Sequence, residues 1–298
     1  MRKRFKFRSK KRSTFKVIIF LVIGYIIFSL LYRTLYKNYI NKMNNQEFIN
    51  HVIRNINNNE SLIDKYKNPE YILKHTLNIN MVKKELPVIN TETNKENVQV
   101  FIYNTHETEE YSDNYLEHYN IIPNVKTMSY ILKDNLEDLG INATVEENSV
   151  VDILRQNNWS YSKSYSASRM LIEEKIKTNN YKLIIDLHRD SSSLEKTLLE
   201  YNNKKYARIL FVIGTEHQNY EANYLVSQKI SEILNNEIPN ISRGIIKKSG
   251  AGVNGVYNED LNPNLILIEL GGPYNQIEEL TNTIDILSKT ILKYLEGD

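Results

Sequence analysis

Four apolar runs of strand length dominate the C-terminal two-thirds of this chain and constrain its fold most: Val98–Tyr103 (VQVFIY), Lys182–Leu187 (KLIIDL), Arg208–Ile213 (RILFVI) and Asn264–Leu270 (NLILIEL). They are near-continuous rather than alternating, the pattern of strands covered on both faces. Amphipathic stretches at Val125–Leu139, Ala167–Thr178, Glu221–Leu234 and Gln276–Leu295 share the same region, the first of them stopped by Gly140. Alternating strand and helix signals predict an α/β domain over 97–298, built on a mostly parallel twisted sheet with helices on both faces. One domain of that size is ordinary.

The N-terminal third reads differently. Residues 1–16 hold nine of the 38 basic residues and no acid, so the remainder carries 29 basic against 36 acidic residues. A nucleic-acid-binding domain would carry its basic excess in the folded part, and none is expected here. Directly after the basic arm comes Val17–Tyr32, VIIFLVIGYIIFSLLY, without a charge. With Phe15 and the stretch to Tyr36 it is long enough to cross a bilayer core of roughly 30 Å. Basic residues ahead of the span predict a cytoplasmic N-terminus, with the rest of the chain outside. A cleaved signal peptide or a buried core helix would be the alternatives. The apolar stretch exceeds a usual signal core, and no small-x-small cleavage site comes after it, so a retained anchor is the expectation. The chain thus divides into a basic arm (1–14), a transmembrane anchor (15–36), a partly ordered Asn/Lys/Glu-rich spacer punctuated by Pro69 and Pro87 (37–96), and the α/β domain. Cysteine is absent, which excludes disulfides and any Cys-ligated metal.

Functional groups in open α/β sheets gather at the carboxyl ends of strands. His106 follows the first run, His188 the second, and Glu269 closes the fourth. Around His106 the sequence is Asn104-Thr105-His106-Glu107-Thr108-Glu109, and an imidazole and a carboxylate three residues apart in a tight turn can bind one cation. Alone, that spacing is also what a solvated loop with a chance acid would show. Around His188 the sequence is Asp186-Leu187-His188-Arg189-Asp190. Alternation places Asp186 and His188 on one side of the strand, so Asp186, or alternatively Asp190, is expected to hold the far nitrogen of a metal-bound imidazole. The plain alternative is an Arg189–Asp190 ion pair. Glu269, set in an apolar strand, is expected to have a raised pKa and to serve as a general base; the alternative is pairing with Arg169 or Arg189. Gly271-Gly272 is expected to let the backbone approach substrate or metal. His51 and His75 fall in the spacer, His217 reads as a surface loop residue, and His118 is a candidate substrate contact. Neither a G-x-S-x-G elbow, a Walker A loop nor an H-E-x-x-H helix is present, and no dinucleotide-binding glycine loop is expected.

In order, IYNTHETEEY (102–111), YSKSYSASR (161–169), IIDLHRDS (184–191), RILFVIGTE (208–216) and VYNEDLNPNLILIELGGPYNQIEE (256–279) resemble the stage II sporulation protein P family. The resemblance runs from about Val98 to the C-terminus. It implies an amidase-like fold and a zinc-dependent N-acetylmuramoyl-L-alanine amidase, with endopeptidase activity, that acts on septal peptidoglycan during engulfment. The implied partners are two other membrane-tethered proteins, the stage II sporulation proteins D and M. Carried over by residue, it implies Zn2+ held by His106, His188 and Glu109, with Glu107 and Glu110 close enough to compete for the third place, and Glu269 as catalytic acid/base. Arg189, Asn254 and the Tyr257-Asn258 turn become candidate substrate binders. One departure is Asn104, where the family's motif has a second His. Two rivals fit the same residues, a zinc carboxypeptidase of wall peptides and a non-catalytic wall-binding scaffold.

Overall fold

The structure is a computed structural model and describes residues 98–114, 116, 122–218 and 220–297. The expected basic arm, anchor and spacer, and His51, His75 and His118 with them, lie outside the described residues. Among the described residues no helix is long and apolar enough to cross a membrane.

The chain order is β1 (Val100–Tyr103), α1 (Val125–Asp138), β2 (Ala143–Val145), α2 (Val150–Gln156), α3 (Ser164–Thr178), β3 (Leu183–His188), α4 (Leu194–Thr197), β4 (Leu198–Tyr201), β5 (Lys204–Ala207), β6 (Ile209–Gly214), α5 (Tyr220–Glu237), β7 (Ser242–Lys248), β8 (Leu265–Leu270) and α6 (Ile277–Glu296). Helix α1 begins where Asn124 and Thr127 form a reciprocal capping box. Helix α6 buries Ile277, Leu280, Ile284, Leu287 and Ile291, a stripe at helical spacing that seals it to the core.

Six strands form one sheet in the order β2-β1-β3-β8-β6-β7. β2, β1, β3 and β8 are mutually parallel, and β7 is parallel to β6. The junction of β8 with β6 is antiparallel, so the sheet is mostly parallel but consists of two parallel blocks that run oppositely. The cause lies in the connection from β3 to β6. It contains the short α4 and the β4–β5 hairpin but no long crossover helix, so the chain re-enters the sheet from the edge at which β3 left it.

One face of the sheet, presenting Val100, Ile102, Leu183, Ile185, Leu187, Phe211, Ile266 and Ile268, packs in a single core with residues of α1, α5 and α6. The other face presents Phe101, Tyr103, Ile184 and Leu265 to Ile172 and Ile176 of α3. His188 and Glu269 belong to this second face by alternation along their strands.

Candidate metal centre

β1, β3 and β8 are parallel neighbours, so their carboxyl ends share one edge. His188 ends β3, and its register partner on β8 is Glu269. Adjacent strands lie about 4.8 Å apart, and register partners point the same way, so the imidazole and the carboxylate are neighbours by construction. After β1 the chain turns tightly, with the Glu109 N–H donating to the His106 carbonyl at 3.0 Å. That turn brings both side chains of the H-x-x-E spacing to the same edge. The His106 and His188 rings stand 5.2 Å apart at 85°, and Glu109 Oε2 lies 3.8 Å from His188 Nδ1. The Arg189 N–H donates to that same Glu109 oxygen at 2.9 Å and so fixes the carboxylate.

Behind this cluster is a buried polar layer. Asp186, with no exposed surface, accepts from the Thr105 N–H at 2.9 Å and the Thr105 hydroxyl at 2.7 Å. Its Oδ1 is also 2.9 Å from His188 Nε2, an ion-pair distance reached without the alignment of a hydrogen bond. With Nε2 turned to Asp186, the Nδ1 of His188 faces Glu109. Tyr165 meets both imidazoles, edge-on to His106 at 5.5 Å and stacked over His188 at 6.2 Å, while Tyr161 stacks on His106 at 4.7 Å.

The electrostatics derive from burial among these charges. Burial, and then His188, lower the pKa of His106 to about 4, so it is neutral at physiological pH. On His188 burial opposes charge, but Asp186, Glu269 and Glu109 outweigh it and hold the pKa up at about 9. Burial raises Glu269 to about 7 and raises Glu109 as well, the latter against the pull of His188 and Arg189.

At this edge His106 Nδ1 and Glu269 Oε2 are among the buried atoms that have no hydrogen-bond partner. Imidazole nitrogen and carboxylate oxygen are the donors zinc takes when no thiolate is available. Two atoms each bound at about 2.1 Å in a tetrahedron stand roughly 3.4 Å apart, against 3.8 Å for His188 Nδ1 and Glu109 Oε2. Among the described residues no group of three His, Cys, Asp or Glu is closed to metal-binding geometry. The residues fit zinc in donor type, and the His188–Glu109 pair would have to draw together by a few tenths of an ångström to hold it.

The other expectations separate. Of the two carboxylates proposed for the back of His188, Asp186 is there; Asp190 turns away to Arg243 and the Ser192 N–H. The Arg189–Asp190 ion pair is not formed, since among the described residues the Arg189 guanidinium meets the Asp190 carbonyl, at 3.3 Å, and not its carboxylate. Arg169 is held by Asp260 through two bonds of 2.8 and 2.9 Å, away from Glu269. Glu107 is occupied by Ser149, the Val151 N–H and Lys126, and Glu110 is exposed, so Glu109 is the acid of the turn that faces His188. Asn104 bridges two elements: its Nδ2 donates to the Leu187 carbonyl at 2.7 Å, and its Oδ1 accepts from Ser129 at 3.0 Å.

Two expectations are corrected and one is narrowed. Gly271 and Gly272 are tight against the protein itself: a side chain at Gly272 would strike the Ser192 carbonyl and Thr197, and one at Gly271 would strike Asn275. Asn258 is 4% exposed and donates to Ser168 and to the Tyr165 carbonyl, so it braces the tyrosine beside the imidazoles, while Asn254, though exposed, uses Oδ1 to hold the Val256 and Tyr257 N–H groups of its own turn. His217 is not a surface residue; its side chain is 4% exposed and its Nε2 lies 3.8 Å from Glu259, which is fully buried and accepts from the Gly214 N–H. A G-x-G-x-x-G spacing at Gly250–Gly255 follows β7 as a turn and opens no helix, so it lacks the dinucleotide-binding context.

Nothing in the sequence singles out Tyr161, Tyr165 or Ser168 by chemistry. Their i, i+4 and i+3 steps put them on one helical face, and that spacing was the available signal.

Fold and site define an α/β protein that carries a buried imidazole–carboxylate cluster at the carboxyl edge of a mostly parallel sheet. Residues 27–292 match the Stage II sporulation protein P family, and the chain belongs to it. It is 35% identical over 189 residues to Stage II sporulation protein P of Bacillus subtilis (strain 168), an alignment covering 61% of this chain and 47% of that protein. The chain thus spans about half the length of this curated relative. Among solved structures it is similar to an N-acetylmuramoyl-L-alanine amidase from Clostridium difficile 630, at 13% identity and a TM-score of 0.38 over 68% of this chain and 99% of that one. It is similar also to a metallo-carboxypeptidase from Burkholderia cenocepacia, at 9% identity and a TM-score of 0.39 over 69% and 59% of the two chains.

Proposed function

We propose that the chain is a zinc-dependent peptidoglycan hydrolase, an N-acetylmuramoyl-L-alanine amidase with endopeptidase capacity, that remodels the septal wall during engulfment in sporulation. The observation that carries this reading is the meeting of His106, Glu109, His188 and Glu269 at the ends of three parallel strands. The run Val17–Tyr32 would tether the chain with its N-terminus in the cytoplasm and the α/β domain facing the wall. The stage II sporulation proteins D and M are the proposed partners, on the family relationship alone.

In this reading His106, His188 and Glu109 hold the zinc. When bound, zinc would supply an acidified water and a polarised amide carbonyl. Glu269 Oε2, buried and unpaired, takes a proton from the attacking water and returns it to the departing amine. Burial raises its pKa above the ordinary carboxylate range, the direction that suits a group that must do both near neutrality. Asp186 orients the His188 ring, and Tyr165 packs edge-on to His106 and over His188.

The test is digestion of purified wall by the full chain loaded with zinc. Release of stem peptides from the glycan, lost by about a hundredfold or more in Glu269→Gln, supports the reading. Peptides that stay on the glycan and are only shortened at their carboxyl ends would identify a carboxypeptidase. No cleavage by a zinc-loaded chain would leave a wall-binding scaffold.

A further inference from the structure

A cleft of about 520 Å³ opens beside the cluster, lined by Glu110, Tyr111, Ser112, Asp113, Arg189 and Pro273 among others. That is the size of pockets that hold small ligands. Arg189 is the cleft's cationic residue. Its chain position fixes it next to His188, and its backbone N–H is already committed to Glu109. The guanidinium is not: it has no carboxylate within ion-pair distance among the described residues, only the Asp190 carbonyl at 3.3 Å, and its Nε is buried with no partner. Elsewhere in the domain Arg169 and Arg243 are paired with carboxylates, Asp260 and Asp190, and Arg208 donates from both Nε and a terminal nitrogen to the Asn240 and Lys196 carbonyls. A planar fork of N–H groups held partly out of water with donors unused is the arrangement that recognises a planar anion. The acids of the cleft do not take that place, since Asp113 accepts from the Leu116 and Ile277 N–H groups and Glu110 is exposed.

We infer that Arg189 is a specificity residue that binds a free carboxylate on the peptide side of the substrate, within about two residues of the scissile amide. The short reach comes from its neighbour His188, because an extended peptide advances only about 3.5 Å per residue. A stem peptide with an acidic second residue meets this requirement, and one in which that carboxylate is a carboxamide does not. The inference rests on the hydrolase reading for its substrate class, and its chemistry is separable from catalysis.

The experiment compares two soluble muramyl peptides that differ only in whether the second residue carries a carboxylate or a carboxamide. Turnover and equilibrium binding are measured on the full chain, on Arg189→Gln and on Arg189→Lys. Wild type should favour the carboxylate peptide by about tenfold or more in kcat/KM, mainly through KM. Arg189→Gln should lose that preference while binding the carboxamide peptide as wild type does, and Arg189→Lys, which keeps charge but not the fork, should fall between. Binding is read by calorimetry, so a chain that cuts neither peptide but binds the carboxylate form through Arg189 overturns the hydrolase reading and supports this one. Equal preference in wild type by both measurements, or an equal loss on both peptides in Arg189→Gln, overturns the inference.

Discussion

Asp186 is the residue on which the site's geometry turns. It sits in the middle of β3 with no exposed surface, and the Thr105 N–H, the Thr105 hydroxyl and the His188 imidazole all converge on it. Replacing it with Ala leaves buried donors without an acceptor, each costing about 1–3 kcal/mol. Asp186→Ala should therefore unfold at lower urea, by about 3 kcal/mol, while an exposed control such as Asp152→Ala shifts far less; equal, small shifts in both would show that the layer is not structural. Glu259 makes a second prediction. Burial pushes its carboxyl up to about 7, from an ordinary value of 4.5, with His217 and Asp186 facing it. Between those two values the folded protein keeps a proton that the unfolded chain has released, so this group makes stability fall as pH rises, by at most about 1.4 kcal/mol per unit. Above pH 7 its cost is constant. Relative to wild type, Glu259→Gln should gain stability from pH 5 to pH 8 by on the order of 2 kcal/mol, read from urea midpoints, and a difference that stays flat would assign the shift elsewhere. At this scale the sequence was legible where a residue's strand position fixed its direction, as for Asp186, His188 and Glu269. It was not legible for Glu259 or His217, because their burial depends on the 249–262 segment folding back beside Gly214.

The β4–β5 hairpin shows what the apolar pattern leaves out. Its strands are half exposed, and the turn consists of Asn202 and Asn203, both at positive φ (49° and 60°). Two left-handed residues make the turn whose twist matches a hairpin, and Asn tolerates it where β-branched residues do not. Asn203→Val should cost about 1–2 kcal/mol and Asn203→Gly should be neutral or stabilising, measured by thermal unfolding; the reverse order would mean the turn relaxes without penalty. The missing helix signal between the second and third apolar runs was in the sequence too, and it bears on strand direction, because a short connection cannot carry the chain back for a parallel entry. Both sheet edges escaped the pattern for physical reasons. β2 has three residues, and β7 (SRGIIKK) is basic at both ends, as suits an edge that must not pair with another chain.

Across the whole molecule, the proposed metal joins segments that are some 80 residues apart in sequence and belong to two elements, the loop after β1 and the end of β3. A ligand that binds only the folded chain stabilises it by RT ln(1 + [L]/Kd), about 2.7 kcal/mol at a concentration a hundredfold above Kd. For a domain of this size that corresponds to a rise in Tm of roughly 5–10 °C. Because His188 and Glu109 must draw together by a few tenths of an ångström, part of the binding energy is spent on ordering, and the rise will fall short of that expected from affinity alone. Chelation should lower Tm and zinc should restore it, with one ion per chain by elemental analysis. His106→Ala and His188→Ala should lose the zinc-dependent part of Tm. Glu269→Gln, whose carboxylate is assigned to proton transfer and not to the metal, should keep it while losing activity. A zinc response that persists undiminished in His106→Ala would place the ion elsewhere and remove the basis for reading this edge as a hydrolase.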